Sequence, residues 1–418
     1  MAEDYGADWC QIPPDLLASI AKNLQIYGDY IRLRSVCVNW RSWLPPSPPH
    51  RLPCQLPWLL LPPLPPTATF HCNPRRLRHQ GSSRSFYDLL NGKVNSLTLP
   101  EGSYPRRICG SSHGWLVLVG DTPEIFCQNP LTGTKVFLSP LSTLPCVVSF
   151  SFSNVGREYS IRDPMSGEIY AVDLRQMRDF SVRKVILSHS PTNGCPFIAL
   201  GIISSNLTAT SELVFCKSGE DCWKSVPGLG LGSGFYTEDV IYCEPEGQFY
   251  AVNKVGDVAV FNLSSDSPVI IRTVDTIQGD LPYLVKSGRE LLLVSRCLGA
   301  EANIVAYCEV YETIGFDVYR FREVGDGRAY WDNLTVLGDR ILFIGENSSL
   351  ALSASDFPGS KGTAYTSPMI ILSPMMWGYL IWLVIVLSRC LVTHQTQPGH
   401  CIGLLLYGLH PILASFRA

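Results

Sequence analysis

The sequence predicts two unlike parts in one chain: a small helical module over residues 9–44 and an all-β domain over 70–360. Three observations carry this. Apolar residues recur at helical spacing between Ile12 and Trp43, and beyond them only a turn near Leu174–Arg178 repeats that period. From about Phe70, short β-branched and aromatic runs alternate with turn dipeptides. Hairpin glycines then recur at long spacing, with 41 residues from Gly247 to Gly288 and 50 from Gly288 to Gly338. Repeats of roughly 40–50 residues, each a small antiparallel meander, are the pattern of propeller blades, and about six would fit. A pair of β-sandwiches is the competing arrangement.

In the helical module, Pro13-Pro14 starts a helix where a missing N–H costs nothing. Leu16, Leu17, Ile20 and Leu24 make one apolar face. Gly28 is expected to break the run, and Asp29 to cap a second helix carrying Ile31, Leu33, Val36, Cys37, Trp40 and Trp43. Arg32, Arg34 and Arg41 lie between them. Two short helices cannot bury so many apolar side chains against each other alone, since segments below about 40 residues usually need a partner. A partner groove is the natural destination of the surplus face. The alternative is a helical hairpin packed on the rest of the chain.

The order Ile12-Pro13, Leu16-Leu17, Ile20, Leu24, then Leu33-Arg-Ser-Val36-Cys37-Val-Asn-Trp40-Arg41 resembles an F-box. Many F-boxes carry a Pro and a Lys or Asp pair in the loop that is Gln25–Tyr30 here. That resemblance implies docking on the adaptor of an SCF-type ubiquitin ligase. It assigns adaptor contact to Ile12, Pro13, Leu16, Leu17, Ile20, Leu24, Ile31, Leu33, Val36, Cys37 and Trp40.

Residues 45–69 follow as a Pro-rich linker, with ten prolines between 45 and 66. Proline fixes φ and biases its predecessor towards extended geometry, so the linker reads as a semi-rigid connector. Its Leu56-Pro-Trp-Leu-Leu-Leu61 run is too apolar for water and is expected to lie on the β-domain as an edge. A ligand for a proline-binding module is the other option.

Expected strands include Trp115–Val119, Gln248–Val252 and Arg340–Ile344, with turns at Pro130–Gly133, Pro164–Gly167, Pro245–Gly247, Gly256-Asp257 and Gly338-Asp339. The phrases Asp239-Val-Ile-Tyr, Gly247-Gln-Phe-Tyr-Ala-Val, Gly256-Asp-Val-Ala-Val-Phe and Leu337-Gly-Asp-Arg-Ile-Leu-Phe-Ile-Gly resemble blades of a large plant family. Its members join an amino-terminal F-box to a kelch-like β-propeller. The resemblance covers about residues 12–360.

Residues 361–418 depart from that family. Residues 362–388 carry no charge, and Met369 to Leu387 is 19 residues, near the length that spans a bilayer. Two readings stand: a single membrane span over 369–387, or an aberrant terminus that replaced the native end. Either leaves the propeller short of its closing strand, with an open edge.

Composition bounds the chemistry. Net charge is −3, so no global field draws the chain to nucleic acid, and a membrane is expected only through 369–387. The 15 cysteines show no Cys-x-x-Cys, the closest pair being Cys216 and Cys222, so no zinc site is offered. Most sit in apolar runs, where a reduced thiol behaves as a small hydrophobe. Sequons at Asn206, Asn262, Asn333 and Asn347 read as silent beside an acidic start with no apolar leader. The glycine-rich Gly228–Gly234 reads as a blade connection, His113 as a turn residue and Arg75–His79 as a solvated cluster.

No catalytic residue and no cofactor are expected. The resemblance implies a non-enzymatic substrate-recognition subunit of an SCF-type E3 ligase, joined through its adaptor to a cullin. An unknown protein target would sit on the propeller. Expected localisation is intracellular, in nucleus or cytoplasm, or membrane-anchored if the tail spans. The runner-up is a membrane-tethered or degenerate F-box protein that binds partners without ubiquitin transfer; a propeller enzyme ranks last, for want of clustered carboxylates.

Overall fold

The computed structural model describes residues 9–45, 48, 50, 56–60, 83–88, 93–98, 106–191, 195–205, 208, 210–230, 233–263, 268–303, 308–345, 347–357, 369–370 and 385–388. Most of the Pro-rich linker, the Arg75–His79 cluster and residues 371–384 of the expected membrane span lie outside them. The chain divides into two units, Met1–Trp58 and Leu59–Ala418.

The first unit holds three helices where two were expected: α1 (Pro14–Lys22), α2 (Tyr27–Arg34) and α3 (Val38–Trp43). Pro13 and Pro14 open α1 as predicted. Gly28 and Asp29 depart from expectation, because both lie inside α2, which starts at Tyr27 after an extended Ile26. A glycine costs a helix about 1 kcal/mol, less than the burial of neighbouring Tyr30 returns. The break falls at Ser35–Cys37 instead. There the Cys37 sulfur accepts the Trp40 amide N–H at 3.5 Å and opens α3.

The second unit is β-rich, in six hydrogen-bonded sheets whose described strands pair antiparallel apart from one short parallel contact. Sheet 1 joins Trp58–Leu60, Ser83–Asp88 and Lys93–Thr98, with the first as its edge strand. Sheet 2 is the meander Arg107–Ser112, Trp115–Val119, Ile125–Gln128 and Lys135–Phe137. Sheet 3 has three strands, Val147–Phe150, Tyr159–Arg162 and Ile169–Val172. Sheet 4 runs from Val182 to Ser225. Sheet 5 joins two meanders, 237–273 and 281–333, through a short parallel pairing of Arg272-Thr273 with Arg328-Ala329. Sheet 6 contains Arg340–Ile344 and Leu350–Ser353.

Polar contacts between sheets run round a closed circuit. Arg107 of sheet 2 donates to the carbonyls of Arg178 and Arg183, the latter in sheet 4. Buried Lys184 of sheet 4 pairs with buried Asp239 of sheet 5. Asp239 also accepts the Leu284 N–H of the next meander at 2.8 Å. Arg340 of sheet 6 pairs with Glu290 of sheet 5. The Ser348 N–H then returns to the Ser111 carbonyl of sheet 2 at 3.3 Å. Gly110 permits the closest approach: a Cβ there would lie 1.8 Å from the Val185 carbonyl oxygen.

Between the sheets lie apolar cores. One is shared by sheets 2, 3 and 4 around Trp115, Tyr159 and Trp223, and another by sheets 4 and 5 around Phe235 and Phe249. A third joins sheets 5 and 6 through Val294, Leu342 and Ile344. Buried indoles each find an acceptor, as their N–H requires. Trp115 donates to Ser190 Oγ at 3.0 Å, Trp223 to the Ser139 carbonyl at 2.7 Å and Trp331 to the Gly256 carbonyl at 2.8 Å.

Two of the predicted turns are built by the residue ahead of the proline. Asn129 Oδ1 accepts the N–H groups of Leu131 and Thr132, and Asp163 Oδ1 those of Met165 and Ser166. Each turn ends on a glycine with positive φ, Gly133 at 73° and Gly167 at 73°. The helical turn expected near Leu174 is present, capped reciprocally by Asp173 and Gln176.

Residues 385–388 correct the expectation of an open last edge. Ile385–Ser388 pairs antiparallel with Arg340–Ile344, and Met369-Ile370 pairs on its other side. Both described ends of the 369–387 segment are therefore strands. Among the described residues, no helix is long and apolar enough to cross a membrane.

Candidate partner-docking face

The helical module closes on its own small core of Leu17, Ala21, Tyr30, Trp40 and Leu44. Polar groups staple that core. The Tyr30 hydroxyl donates to the Pro45 carbonyl at 2.8 Å, and burial pushes its pKa up against the opposing effect of Arg34. The Trp40 indole N–H donates to the Trp9 carbonyl at 3.1 Å. Arg34 donates to the carbonyls of Leu44 at 3.2 Å and Arg41 at 3.4 Å, neutralising the end of α3.

This sorts the eleven expected adaptor contacts into three groups. Leu17 and Trp40 are buried in the module's own core, so they shape the docking face without lining it. Ile12, Leu24, Ile31, Leu33 and Cys37 are half-buried against that core. Pro13, Leu16, Ile20 and Val36 face outward, with Leu16 58%, Ile20 41% and Val36 56% exposed.

The split follows from α1 geometry. Leu17 and Ala21 make one stripe at i and i+4, and Leu16 and Ile20 make the adjacent stripe about 100° round the helix. Both stripes are apolar, so hydropathy alone could not say which one turns inward. Val38, 81% exposed at the start of α3, joins the outward set and was not among the expected contacts, nor were the exposed Trp9 and Trp43. Its signal was a Val in the first turn of a helix whose start the sequence did not reveal.

Each large aliphatic side chain left in water forgoes roughly 1.5–3 kcal/mol. Leu16, Ile20, Val36 and Val38 together make an outward apolar set that the three helices leave uncovered within their own unit. Nearby charges are solvated, with the exposed Asp29–Arg32 pair at 2.6 Å. Exposed aliphatic side chains of this kind can hold a partner by burial, and they carry no acid, base or nucleophile.

In the second unit, the buried carboxylate of Asp163 is held by neighbouring donors. Burial alone would raise the Asp163 pKa, but N–H and hydroxyl donors from Ser166, Ser205 and Thr208 outweigh it and hold the carboxyl at about 2. Cys109, Cys127, Cys146, Cys216 and Cys243 are buried thiols outside any disulfide, and burial pushes Cys146 up to about 12 and Cys216 up to about 11. Among the described residues, no group of three or more His, Cys, Asp or Glu could hold a metal ion. Sheet 3 carries exposed Val148, Phe152, Val155, Met165 and Ile169.

Comparison with known proteins gives the lineage. A family model described as the KIB1-4 beta-propeller matches residues 86–364, more than half of the chain. The F-box protein SKIP23 of Arabidopsis thaliana is 26% identical over 370 residues, covering 84% of this chain and 81% of that protein. An F-box/kelch-repeat protein of the same plant is 24% identical over 385 residues, covering 88% and 85%. With a three-helix module ahead of the circuit of sheets, and relatives that are F-box proteins over most of their length, the chain belongs to the KIB1-4 β-propeller family as a plant F-box protein with a β-propeller.

Proposed function

We propose that this protein is the substrate-recognition subunit of an SCF-type E3 ubiquitin ligase. Its helical module binds the adaptor, and through it a cullin; its propeller holds a protein target. The observation that carries this reading is the outward apolar set Leu16, Ile20, Val36 and Val38, on a module whose own core is already complete. The kinship with F-box proteins over 84% and 88% of the chain supports it.

The subunit performs no bond chemistry in this reading. It raises the effective concentration of the target beside the ubiquitin-charged enzyme, and proximity of this kind supplies many orders of rate without an acid–base group. The exposed residues of sheet 3 and the loops between strands are the surfaces on offer to the target. The work takes place inside the cell, in nucleus or cytoplasm, where buried free thiols stay reduced. Co-expression of the full chain with the adaptor and cullin tests the reading. Co-purification of all three supports it, and a chain that elutes free of the adaptor sinks it.

A further inference from the structure

We propose that the open edge of sheet 3 takes up an extended acidic segment of the protein target as an added strand. The proposal rests on the substrate-recognition reading and names the kind of segment that the propeller holds. Sheet 3 has Ile169–Val172 as one edge. The Asp163 N–H donates to the Glu168 carbonyl at 2.8 Å, which makes these two a hydrogen-bonded pair of the antiparallel ladder. Such pairs alternate, so Tyr170 and Val172 bond to Ile161 and Tyr159. Ile169 and Ala171 then point their N–H and C=O groups away from the sheet. Both residues are exposed, and among the described residues nothing accepts from their N–H groups.

Side chains beside that edge can read an added strand on both faces. Tyr170 packs inward and, with Cys146, Ile161 and Ile203, lines a shallow pocket where sheet 3 meets sheet 4. Every second side chain of an added strand would fall on the face of Tyr170, where this lining suits a small aliphatic group. The opposite face is open. Ile169 is 55% exposed there, and its cross-strand partner Arg162 is exposed as well.

Charge selects the kind of segment. Arg157, Arg162 and Arg175 are exposed, and among the described residues none of their guanidinium groups has an ion-pair partner. Neighbouring carboxylates are already occupied. Glu158 accepts the N–H groups of Gly156 and Leu174, Asp163 those of Met165 and Ser166, and Asp173 that of Gln176. Glu168 is the one exposed acid described between residues 147 and 175. Cations left without counter-charges beside an open edge favour an acidic partner. A second copy of this chain fits worse, since pairing edge to edge about a two-fold axis would bring two such cationic sets together.

Fluorescence anisotropy on the full chain tests it, with labelled peptides of about ten residues, the upper length of an ordinary strand. One peptide alternates Asp with Val, one Lys with Val and one Asp with Gly. The Asp–Val peptide should bind, and the other two about tenfold more weakly, since each lacks either the charge or the apolar side chains. Ala171→Pro removes an edge donor where an edge strand tolerates proline, and should weaken the Asp–Val peptide about tenfold. Arg162→Glu reverses an exposed charge and should weaken it about threefold, with thermal unfolding unchanged. An Asp–Val peptide that binds no better than the Lys–Val peptide, or equally to wild type and Arg162→Glu, overturns the proposal. A dimer that Ala171→Pro disperses overturns it in favour of a second copy. Adaptor binding, measured on the same preparations, should be equal in all three proteins. Its absence from the wild type would count against the substrate-recognition reading alone, because the peptide comparison does not involve the helical module.

Discussion

The indole N–H of Trp40 donates to the carbonyl of Trp9 at 3.1 Å, tying α3 to the turn ahead of α1 across 31 positions of sequence. Trp40 is also buried in the module core, beside Leu17 and Tyr30. A residue of the F-box pattern is therefore an internal peg.

Trp40→Ala should then act through stability. Truncating a buried aromatic side chain to alanine costs about 3–5 kcal/mol, more than a module of this size can spare. Exchange of the α1 and α2 amides is expected to approach the unfolded rate while sheets 2 to 6 keep their protection. Slow exchange in α1 of the variant would contradict the packing described.

The Lys184–Asp239 pair links sheets 4 and 5 with both side chains buried. Removing one partner strands a charge away from water, at a cost of about 3–5 kcal/mol. Lys184→Met should lower the unfolding free energy of the propeller by that amount, read by denaturant titration, and adding Asp239→Leu should restore part of it. If the single variant unfolds at the wild-type midpoint, the pair is not buried as described.

Asp163 sets an acid limit. Its folded pKa of about 2 lies below its ordinary value of 3.8. The group therefore stabilises the fold above about pH 4, and this contribution fades as pH falls through about 2. The difference corresponds to about 2 kcal/mol. Asp163→Asn should lower stability at pH 7 and flatten its dependence on pH between about 4 and 2, read by urea titration at each pH.

Thiol reactivity should follow burial. Cys195 and Cys222 are exposed, whereas Cys146 is pushed up to about 12 and Cys216 to about 11. Iodoacetamide at pH 8 should label the first two in the native protein and spare the others until denaturant is added. Native labelling of Cys146 would contradict its placement in the core shared by sheets 2 to 4.

Much of this fold was legible in the residues. Trp115–Val119 and Arg340–Ile344 are strands with the predicted bounds, because β-branched runs between turn signals leave little choice. The turn at Pro164–Gly167 was legible too, but not the second role of Asp163, whose carboxylate also binds Ser205 and Thr208 of another sheet segment. Long-range partners of this kind leave no local signal.

The docking face was legible as a set of residues but not as a surface. Leu16 and Leu17 are equally apolar neighbours, yet one is 58% exposed and the other fully buried. Only packing decides between adjacent stripes of one helix. The tail was ambiguous for a related reason: an uncharged run of membrane length and a strand flanked by apolar sequence look alike in hydropathy, and only the pairing of 385–388 with 340–344 marks its described end as a strand.

Calorimetric titration of the full chain with purified adaptor tests the central claim most directly, comparing wild type with the double variant Leu16→Asp, Val36→Asp. Each substitution replaces an outward apolar contact of roughly 1.5–3 kcal/mol with a charge, so affinity should fall at least about a hundredfold. Helical content and propeller unfolding should stay at wild-type values, since neither residue belongs to the module core. Wild-type affinity in the double variant, or no binding by the wild-type chain, would contradict the account.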